Sequence, residues 1–198
     1  MQLAMPMGSG PGPGSDEADG ALLAATATGD MAAFERLHRR FYRRLYGFAL
    51  RITERPEVAE EVVADTLMAV WQGASKFRGA SKASTWIFGI AYRIALKARR
   101  KGRHDWRHDE IDETVPAAQS GTEEVETLFT KNRVAAALRR LPEEQRATVE
   151  LTYLYGYKIS EISEITGCPE GTVKTRMFHA RAKLRVLLAE PEESEETP

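Results

Sequence analysis

Cationic and aromatic side chains alternate between residues 76 and 100 of the 198-residue chain. Aromatic rings stack on unpaired bases, and cations follow the phosphate backbone of a single strand. In a helix that begins near residue 84, Trp86, Arg93 and Lys97 fall on one side, after a basic and aromatic loop. The segment therefore predicts a surface for single-stranded nucleic acid; a core tryptophan beside a solubilising basic face is the alternative. The residues assigned to this surface are Lys76, Phe77, Arg78, Lys82, Trp86, Arg93, Lys97 and Arg100.

Residues 159–173, ISEISEITGCPEGTV, have the pattern of a helix-turn-helix. Ser160 is expected to cap the first helix, and Gly167 supplies the turn. On the second helix an aromatic residue lies among polar ones, opposite an apolar face, which suits a helix laid in the major groove of duplex DNA. The base-reading candidates are Lys174, Thr175, Phe178 and His179, and the phosphate-contact candidates are Arg176 and Arg181. A helical hairpin with basic decoration is the alternative.

A third feature is a stripe of acidic, amide and methionine side chains on the predicted helix that begins at Pro56. A methionine exposed within such a stripe suits docking on a helix of a partner protein. The residues alone favour an ordinary solvated face. The stripe, called the acidic stripe below, consists of Glu61, Asp65, Met68 and Gln72.

The net charge of −1 hides two basic blocks that acidic segments separate and flank. Residues 31–110 carry 17 Lys and Arg against nine acids, and residues 131–190 carry 11 against seven. The stretch 109–126 has seven acids and no Lys or Arg. Because phosphate backbones bind local basic patches whatever the overall charge, this distribution favours a nucleic-acid partner.

Several kinds of function find no support in the residues. No group of acids and histidines has the spacing of a metal or catalytic site, and no glycine-rich phosphate loop follows a strand. The single cysteine, Cys168, cannot form an internal disulfide or hold zinc alone. We expect no catalytic residue, no metal and no cofactor. No apolar run reaches the roughly 18 residues that cross a bilayer, so we expect a soluble, intracellular protein.

Apolar residues recur at three- and four-residue steps, and no alternating strand pattern occurs. The sequence predicts an all-α fold of two small helical domains joined by a flexible acidic linker, with the helix-turn-helix in the C-terminal domain. Asp30 and Pro56 are expected to open the first two helices, and Ser81 or Ser84 to cap the third. The predicted segments are a disordered extension at 1–20, a first domain at 21–107, a linker at 108–122, a second domain at 123–190 and an acidic tail at 191–198.

Two segments resemble the bacterial sigma factors. Residues 59–93, AEEVVADTLMAVWQGASKFRGASKASTWIFGIAYR, are similar to their polymerase-binding and promoter-melting region, region 2. Residues 137–185 are similar to their region 4, which reads the upstream promoter element; the motifs LP-x3-R, G-x4-EI and GTVKTR are specific in combination. The likeness runs from about residue 25 to 188. Its compact two-domain form resembles the extracytoplasmic-function (ECF) group of the sigma-70 family.

The resemblance implies a non-enzymatic initiation factor that binds core RNA polymerase, directs it to promoters and starts strand opening in the bacterial cytoplasm. The acidic stripe would dock on the polymerase clamp helices, and the second domain would meet the flap. The loop at 76–83 would capture a base flipped from the −10 element, and the helix-turn-helix would read the −35 element. The acidic linker would thread polymerase channels, and an anti-sigma factor is expected to restrain the protein until a stress releases it.

An autonomous helix-turn-helix regulator is the alternative from another class. Such a protein binds duplex sites as a dimer and needs no polymerase. The acidic linker and the basic, aromatic segment favour the sigma factor, and transcription with core polymerase would separate the two.

Overall fold

The computed structural model describes residues 13–105 and 133–189. No strand occurs within these ranges, so the all-α expectation is confirmed there. None of their helices is both long enough and apolar enough to pass through a bilayer. The predicted linker and acidic tail lie outside the described residues. The helices are α1 (Pro13–Ala27), α2 (Met31–Thr53), α3 (Pro56–Gly73), α4 (Ala83–Asp105), α5 (described over 133–139), α6 (Glu143–Tyr153), α7 (Ile159–Thr166) and α8 (Glu170–Ala189), with a 3₁₀ turn at Ala74–Lys76.

Short-range chemistry explains where the first helices begin. The Asp30 carboxylate accepts the backbone N–H of Ala33 at 3.0 Å and so starts α2 as predicted. Pro56 opens α3, also as predicted. Proline suits this position because the first N–H groups of a helix have no acceptor within the helix, so its lack of an N–H costs nothing. The expected serine cap of α4 is wrong: this helix begins at Ala83, which leaves Ser84 inside its first turn.

The N-terminal extension is ordered further than its composition predicts. Disorder was expected over 1–20, yet α1 begins at Pro13, so that expectation is wrong from there on. Leu23 is fully buried in the core, and the buried carboxylate of Asp19 forms an ion pair with Arg40 of α2. These two anchors offset the poor helix propensity of the glycines and prolines, because tertiary packing of an apolar face supplies most of a helix's stability.

Residues 13–105 form an N-terminal module around three fully buried aromatic rings, those of Phe41, Phe48 and Phe88. α2, α3 and α4 pack on one another to enclose the rings, and α1 lies across α2 and α4. Burying one such side chain contributes roughly 1.5–3 kcal/mol. The rings therefore fix α4 against α2, and with it the loop that precedes α4.

Residues 133–189 form a C-terminal module in which α7 and α8 make the predicted helix-turn-helix. Ile162, Ile165 and Val173 are buried beneath the turn. Gly167 ends α7 with φ +69°, a left-handed conformation that glycine adopts without strain. The expected Ser160 cap is wrong, since α7 begins one residue earlier.

The two modules share one hydrophobic core, which the sequence does not predict. The segment between α6 and α7 inserts Tyr155 and Tyr157 into the N-terminal module. The ring centroid of Tyr155 lies 5.7 Å from that of Phe48 and 5.2 Å from that of Phe88, and the Tyr157 ring lies 5.3 Å from Phe88. α7 packs along α4. The helix-turn-helix is therefore held against the helix that carries the basic, aromatic residues.

Candidate nucleic-acid interface

The outer face of α8 carries the four residues predicted to read bases. Its opposite side is buried through Val173, Met177 and Ala180, which seat the helix on the C-terminal module. Phe178 is 71% exposed, a large value for an aromatic ring. The four exposed residues that define the outer face of α8 are Lys174, Thr175, Phe178 and His179.

Local contacts partly order this face. The Lys174 ammonium lies 3.6 Å from the Glu170 carboxylate, one turn earlier. The Thr175 hydroxyl donates to the Gly171 carbonyl at 2.9 Å and keeps its own lone pairs free to accept. The Phe178 and His179 rings meet edge to face with centroids 5.5 Å apart. The face thus combines one cation, acceptor and donor groups and an apolar ring, the set that distinguishes base pairs in a major groove.

The two arginines predicted to contact phosphate have protein partners. Arg176 is half-buried and donates to the Glu144 carboxylate at 2.6 Å and to the Cys168 sulfur at 3.0 Å. Arg181 donates to the Tyr153 hydroxyl at 3.0 Å and lies over its ring. Both arginines therefore tie α8 to the rest of its module in this conformation.

A cleft of about 570 Å³ opens beside the loop between the 3₁₀ turn and α4. We call it the loop cleft. The loop contributes Phe77, Gly79 and Lys82, and the first turn of α4 contributes Thr85. Helices that are distant in sequence complete the wall. They contribute Asp16, Glu17 and Gly20 from α1, and Glu161 and Glu164 from α7.

Lys82 crosses the loop cleft between these two helices. Its ammonium lies 3.3 Å from the Asp16 carboxylate and 2.9 Å from the Glu161 carboxylate. The hydrogen bond with Glu161 is the main cause of a raised pKa for the Lys82 ammonium, so the group stays charged. Lys82 was predicted to contact nucleic acid, but in this arrangement it is paired with acids of α1 and α7.

The aromatic residues of the loop lie against the core. Phe77 and Trp86 are both half-buried, with ring centroids 5.5 Å apart. The Trp86 ring also approaches Gly73, where an added Cβ would lie 3.5 Å from it. The sequence left two interpretations of Trp86, a core residue and a ring that stacks on bases. The structure gives it features of both, because the ring packs on the core and stays partly exposed.

The cations of α4 lie on its solvent side. Arg93, Lys97 and Arg100 are exposed, as their spacing predicted. Where α4 meets α7, the two backbones come close, since a Cβ added to Gly89 would lie 3.7 Å from the Cα of Ile165. α7 therefore packs closely on α4 around Gly89, while the three cations stay exposed. Lys76 and Arg78, on the loop, are exposed as well.

The acidic stripe is exposed along the whole of α3. Met68 is 55% exposed, whereas Val63 and Val70 on the other side of the helix are buried. An exposed methionine flanked by Glu61, Asp65 and Gln72 is the arrangement that the spacing predicted. Its docking role stays a prediction.

The joint between the modules contains charged residues that sequence reasoning did not single out. Arg146 donates to the Glu54 carboxylate at 2.7 Å, and Arg99 lies 3.5 Å from Glu143. Glu150 is buried, and that burial raises its pKa to about 7 although the Arg51 guanidinium lies 3.9 Å away. The sequence contains one signal for this joint, the two tyrosines on either side of Gly156. A glycine usually marks an exposed loop, and two large aromatic residues beside it indicate that the loop is buried instead.

Two family matches cover most of the described chain. Residues 37–105 match sigma-70 region 2, and residues 131–184 match sigma-70 region 4. The first contains the loop before α4, α4 itself and the acidic stripe, and the second contains the helix-turn-helix. Fold and sites thus define the class of the protein, a sigma-70-type transcription initiation factor.

Similar proteins show which group of sigma factors the chain belongs to. The ECF RNA polymerase sigma factor SigM of Mycobacterium tuberculosis H37Rv is 36% identical over 174 residues, 87% of this chain and 86% of the relative. The factor RpoE of Cereibacter sphaeroides is 34% identical over 79% of this chain and 86% of its own. The chain belongs to the ECF RNA polymerase sigma factors. It therefore binds core RNA polymerase and promoter DNA.

Two solved structures are similar across both modules. One is CnrH in complex with the cytosolic domain of CnrY, with a TM-score of 0.65, 26% identity and coverage of 86% of this chain and 97% of the other. The other is the sigma factor RpoE in complex with the anti-sigma factor NepR from Bartonella quintana, with a TM-score of 0.62, 28% identity and coverage of 78% and 96%.

Proposed function

We propose that this sigma factor reads the −35 element with the outer face of α8 and opens the −10 element with the loop cleft and α4. The observation that carries the proposal is the strongly exposed Phe178 ring on a helix whose other side is buried. A ring left in water among polar neighbours has no role in the free fold, but it can meet thymine methyl groups in a groove. Region 4 of the family is the region that contains this helix.

Strand opening would rest on binding energy alone, so the protein is not an enzyme. Extruding a base costs a few kcal/mol of stacking and pairing. A cleft that binds the base only after extrusion recovers that cost and couples recognition to melting. Phe77 would supply a ring wall, and the exposed cations Arg93, Lys97 and Arg100 would hold the phosphates of the opened strand.

Polymerase would be engaged through two further surfaces. The acidic stripe on α3 would dock on the clamp helices, with Met68 as the apolar anchor, and the C-terminal module would meet the flap. Because core polymerase works in the cytoplasm, this chain would act there. We assign 21–107 to region 2, 108–122 to the linker and 123–190 to region 4, and α1 adds residues from Pro13 onward to the N-terminal module.

The packed arrangement of the modules suits a restrained state. Glu161 and Glu164 of α7 line the loop cleft, so a base and its phosphates can enter freely only after α7 has moved away. CnrH and the Bartonella RpoE, which resemble this chain over both modules, are complexes with a CnrY domain and with the anti-sigma factor NepR. We therefore include control by an anti-sigma factor, released in a stress response, in the proposal.

Transcription in vitro tests the proposal. Promoter-directed transcripts from core polymerase should depend on this chain, and Trp86→Ala should reduce permanganate-detected strand opening more than it reduces polymerase binding. Trp71→Ala is the matched control, since Trp71 is a half-buried tryptophan that packs against Phe34 on the α2–α3 side of the module. Normal melting by Trp86→Ala would contradict the assigned role. Tight, sequence-specific duplex binding by the free chain, with no effect on polymerase, would support the autonomous regulator instead.

A further inference from the structure

We propose that the exposed side of α2 binds the phosphate backbone of promoter DNA, as a surface separate from α4 and from the outer face of α8. Its residues are Arg36, Arg39, Tyr42 and Arg43, called the arginine face below. The inference goes beyond the proposed function, in which α2 contacts neither DNA nor polymerase. It rests on that function in one respect, because it takes promoter DNA to run past α4 on the same module.

The charge of α2 is strongly one-sided. The helix carries six arginines and a single acid, Glu35. Arg40, Arg44 and Arg51 contact an acid of α1, buried aromatic rings and the joint between the modules. The other three arginines are exposed and belong to the arginine face. The fold therefore accounts for half of these cations and leaves the other half in solvent.

The exposed arginines are not neutralised by neighbouring acids. Arg39 lies 3.8 Å from Glu35, but the two side chains are 72% and 64% exposed. A surface pair of this kind contributes at most about 1 kcal/mol. Arg36 and Arg43 form no ion pair within residues 13–105 and 133–189, whereas Lys82 lies between two acids. All three arginines can thus meet an anionic ligand without first breaking a strong contact.

Stacked rings determine what the arginine face can bind. The ring of Tyr42 lies between those of His38 and Tyr46, with centroids 5.4 Å and 6.3 Å away and planes tilted by 25° and 6°. Because Tyr42 has a ring on each side, neither of its faces is open for a base to stack on. Tyr42 is nevertheless 40% exposed, and its hydroxyl can donate to a phosphate oxygen. The arginine face therefore suits the phosphate backbone better than the bases.

The arginine face lies one helix away from the loop cleft. α1 connects the two, since Asp16 lines the loop cleft and Asp19 pairs with Arg40 of α2. An α-helix is roughly 10 Å across, so DNA that leaves the loop cleft over α1 reaches α2 within a few nucleotides. Arg36 and Arg43 are about 10 Å apart along the helix axis, roughly the rise of three nucleotides in one strand. The face can therefore hold two separate phosphates at once.

The sign of the charge assigns this face to DNA rather than to polymerase. Duplex DNA carries one negative charge per roughly 1.7 Å of its axis, which complements three arginines that no strong pair neutralises. Protein interfaces are built around an apolar or aromatic anchor, and Met68 provides one in the acidic stripe. The arginine face has no aliphatic side chain, and its one ring is covered on both sides.

The test measures how the binding of holoenzyme to promoter DNA depends on salt. Each phosphate contact contributes about 0.7–0.9 to the steepness of log K against log salt. The double variant Arg36→Ala/Arg43→Ala should therefore lower this steepness by about 1.5, and by the same amount on promoters of different sequence. Arg36→Lys/Arg43→Lys keeps both charges and should keep the wild-type value.

The matched control removes two exposed cations from the other module. Arg139→Ala/Lys183→Ala changes the net charge by the same amount. The DNA is a promoter fragment that ends between the −35 and −10 elements, so that none of it reaches the C-terminal module. The control variant should keep the wild-type salt dependence on this fragment.

The outcomes separate this inference from the proposed function. An unchanged salt dependence in the alanine variant of α2 overturns the inference. If that variant instead binds core polymerase more weakly in competition without DNA, the arginine face belongs to the polymerase interface, and the inference is overturned as well. A loss confined to particular promoter sequences would contradict backbone binding. Normal strand opening by Trp86→Ala would remove the proposed function and leave the salt dependence of the α2 variants unaffected.

Discussion

The outer face of α8 and the loop cleft are built in different ways. One helix supplies every residue of the outer face, and a buried side through Val173 and Met177 is enough to turn that face outward. The loop cleft takes its wall from α1, the loop, α4 and α7, so its residues meet only in the folded chain. The outer face is open in the packed arrangement of the modules, whereas α7 forms part of the wall of the loop cleft. A surface on one helix can bind its ligand as soon as that helix is folded. A site built from several elements can be opened or closed when one of those elements moves.

The largest expected effect concerns the joint that keeps α7 beside the loop cleft. Tyr155→Ala should lower the free energy of unfolding by about 3–5 kcal/mol, because it empties a place between the Phe48 and Phe88 rings. Urea denaturation measures the loss. Tyr153→Ala, at a residue that is 46% exposed, is the control and should cost less than about 1 kcal/mol. Equal losses at the two positions would mean that the joint contributes no more than the surface does.

A pH dependence should follow from Glu150, the buried acid of the same joint. Its pKa in the folded chain is raised to about 7, above the value of 4.5 expected when unfolded, so the folded state binds the proton more tightly. Stability from this group is therefore fully present below about pH 4.5 and is lost as the pH rises to about 7. Each unit of difference corresponds to about 1.4 kcal/mol.

Denaturation at several pH values, with Glu150→Gln as the comparison, measures this dependence. The wild type should lose more stability than Glu150→Gln between pH 5 and pH 8, because the amide does not titrate. The groups that face Glu150 are Arg51 and Glu54 of the N-terminal module and Arg146 of its own helix, and all are kept in the variant. Parallel pH profiles for the two proteins would contradict the prediction.

A smaller effect is expected on the outer face of α8. Phe178→Ala and, separately, Lys174→Ala should each weaken discrimination at individual bases of the −35 element by about 1–3 kcal/mol. Phe178→Ala should leave stability almost unchanged, since the ring is 71% exposed. Selection from a promoter library measures the preference. Val186→Ala, at an exposed position farther along the same helix, is the control. An unaltered preference in both test variants would remove the reading role from this face.

The smallest expected effect concerns the acidic stripe, where a single exposed side chain is tested. Met68→Ala should weaken binding to core polymerase by about 1 kcal/mol, because it removes the apolar anchor from a polar surround. Competition with wild-type chain for core polymerase measures this difference. Met31→Ala, a similarly exposed methionine at the start of α2, should bind as the wild type does. If both variants compete equally well, Met68 is only part of a solvated face.

The sequence predicts those parts of the molecule that depend on one helix at a time. Phe178 and Met68 could be assigned to exposed faces because helical periodicity places them opposite buried residues. α1 was missed because composition was judged over the whole segment 1–20, although Leu23 just beyond it anchors the helix. The loop cleft was half predicted. Lys82 and Phe77 were named, but no local pattern connects them to Asp16 or Thr85.

Contacts between residues distant in sequence, within a module and between the modules, were beyond prediction for the same reason. Arg176 has the spacing of a phosphate contact, and nothing near it in the sequence indicates that Glu144, 32 positions away, accepts its hydrogen bond. The tyrosines on either side of Gly156 pack on rings more than 60 positions away. Charge and periodicity describe which groups are available, and tertiary packing decides which of them are already engaged.

The central claim is that the loop cleft and the outer face of α8 act on one promoter at the same time, with the modules separated. Distances between dyes on α1 and α8, at the exposed positions Ala24→Cys and Ala182→Cys in a Cys168→Ser chain, measure this most directly. Single-molecule energy transfer should give one short distance for the free chain. In a transcribing complex with core polymerase and promoter DNA, it should give a distinctly longer one. An unchanged short distance in a complex that makes transcripts would contradict the account.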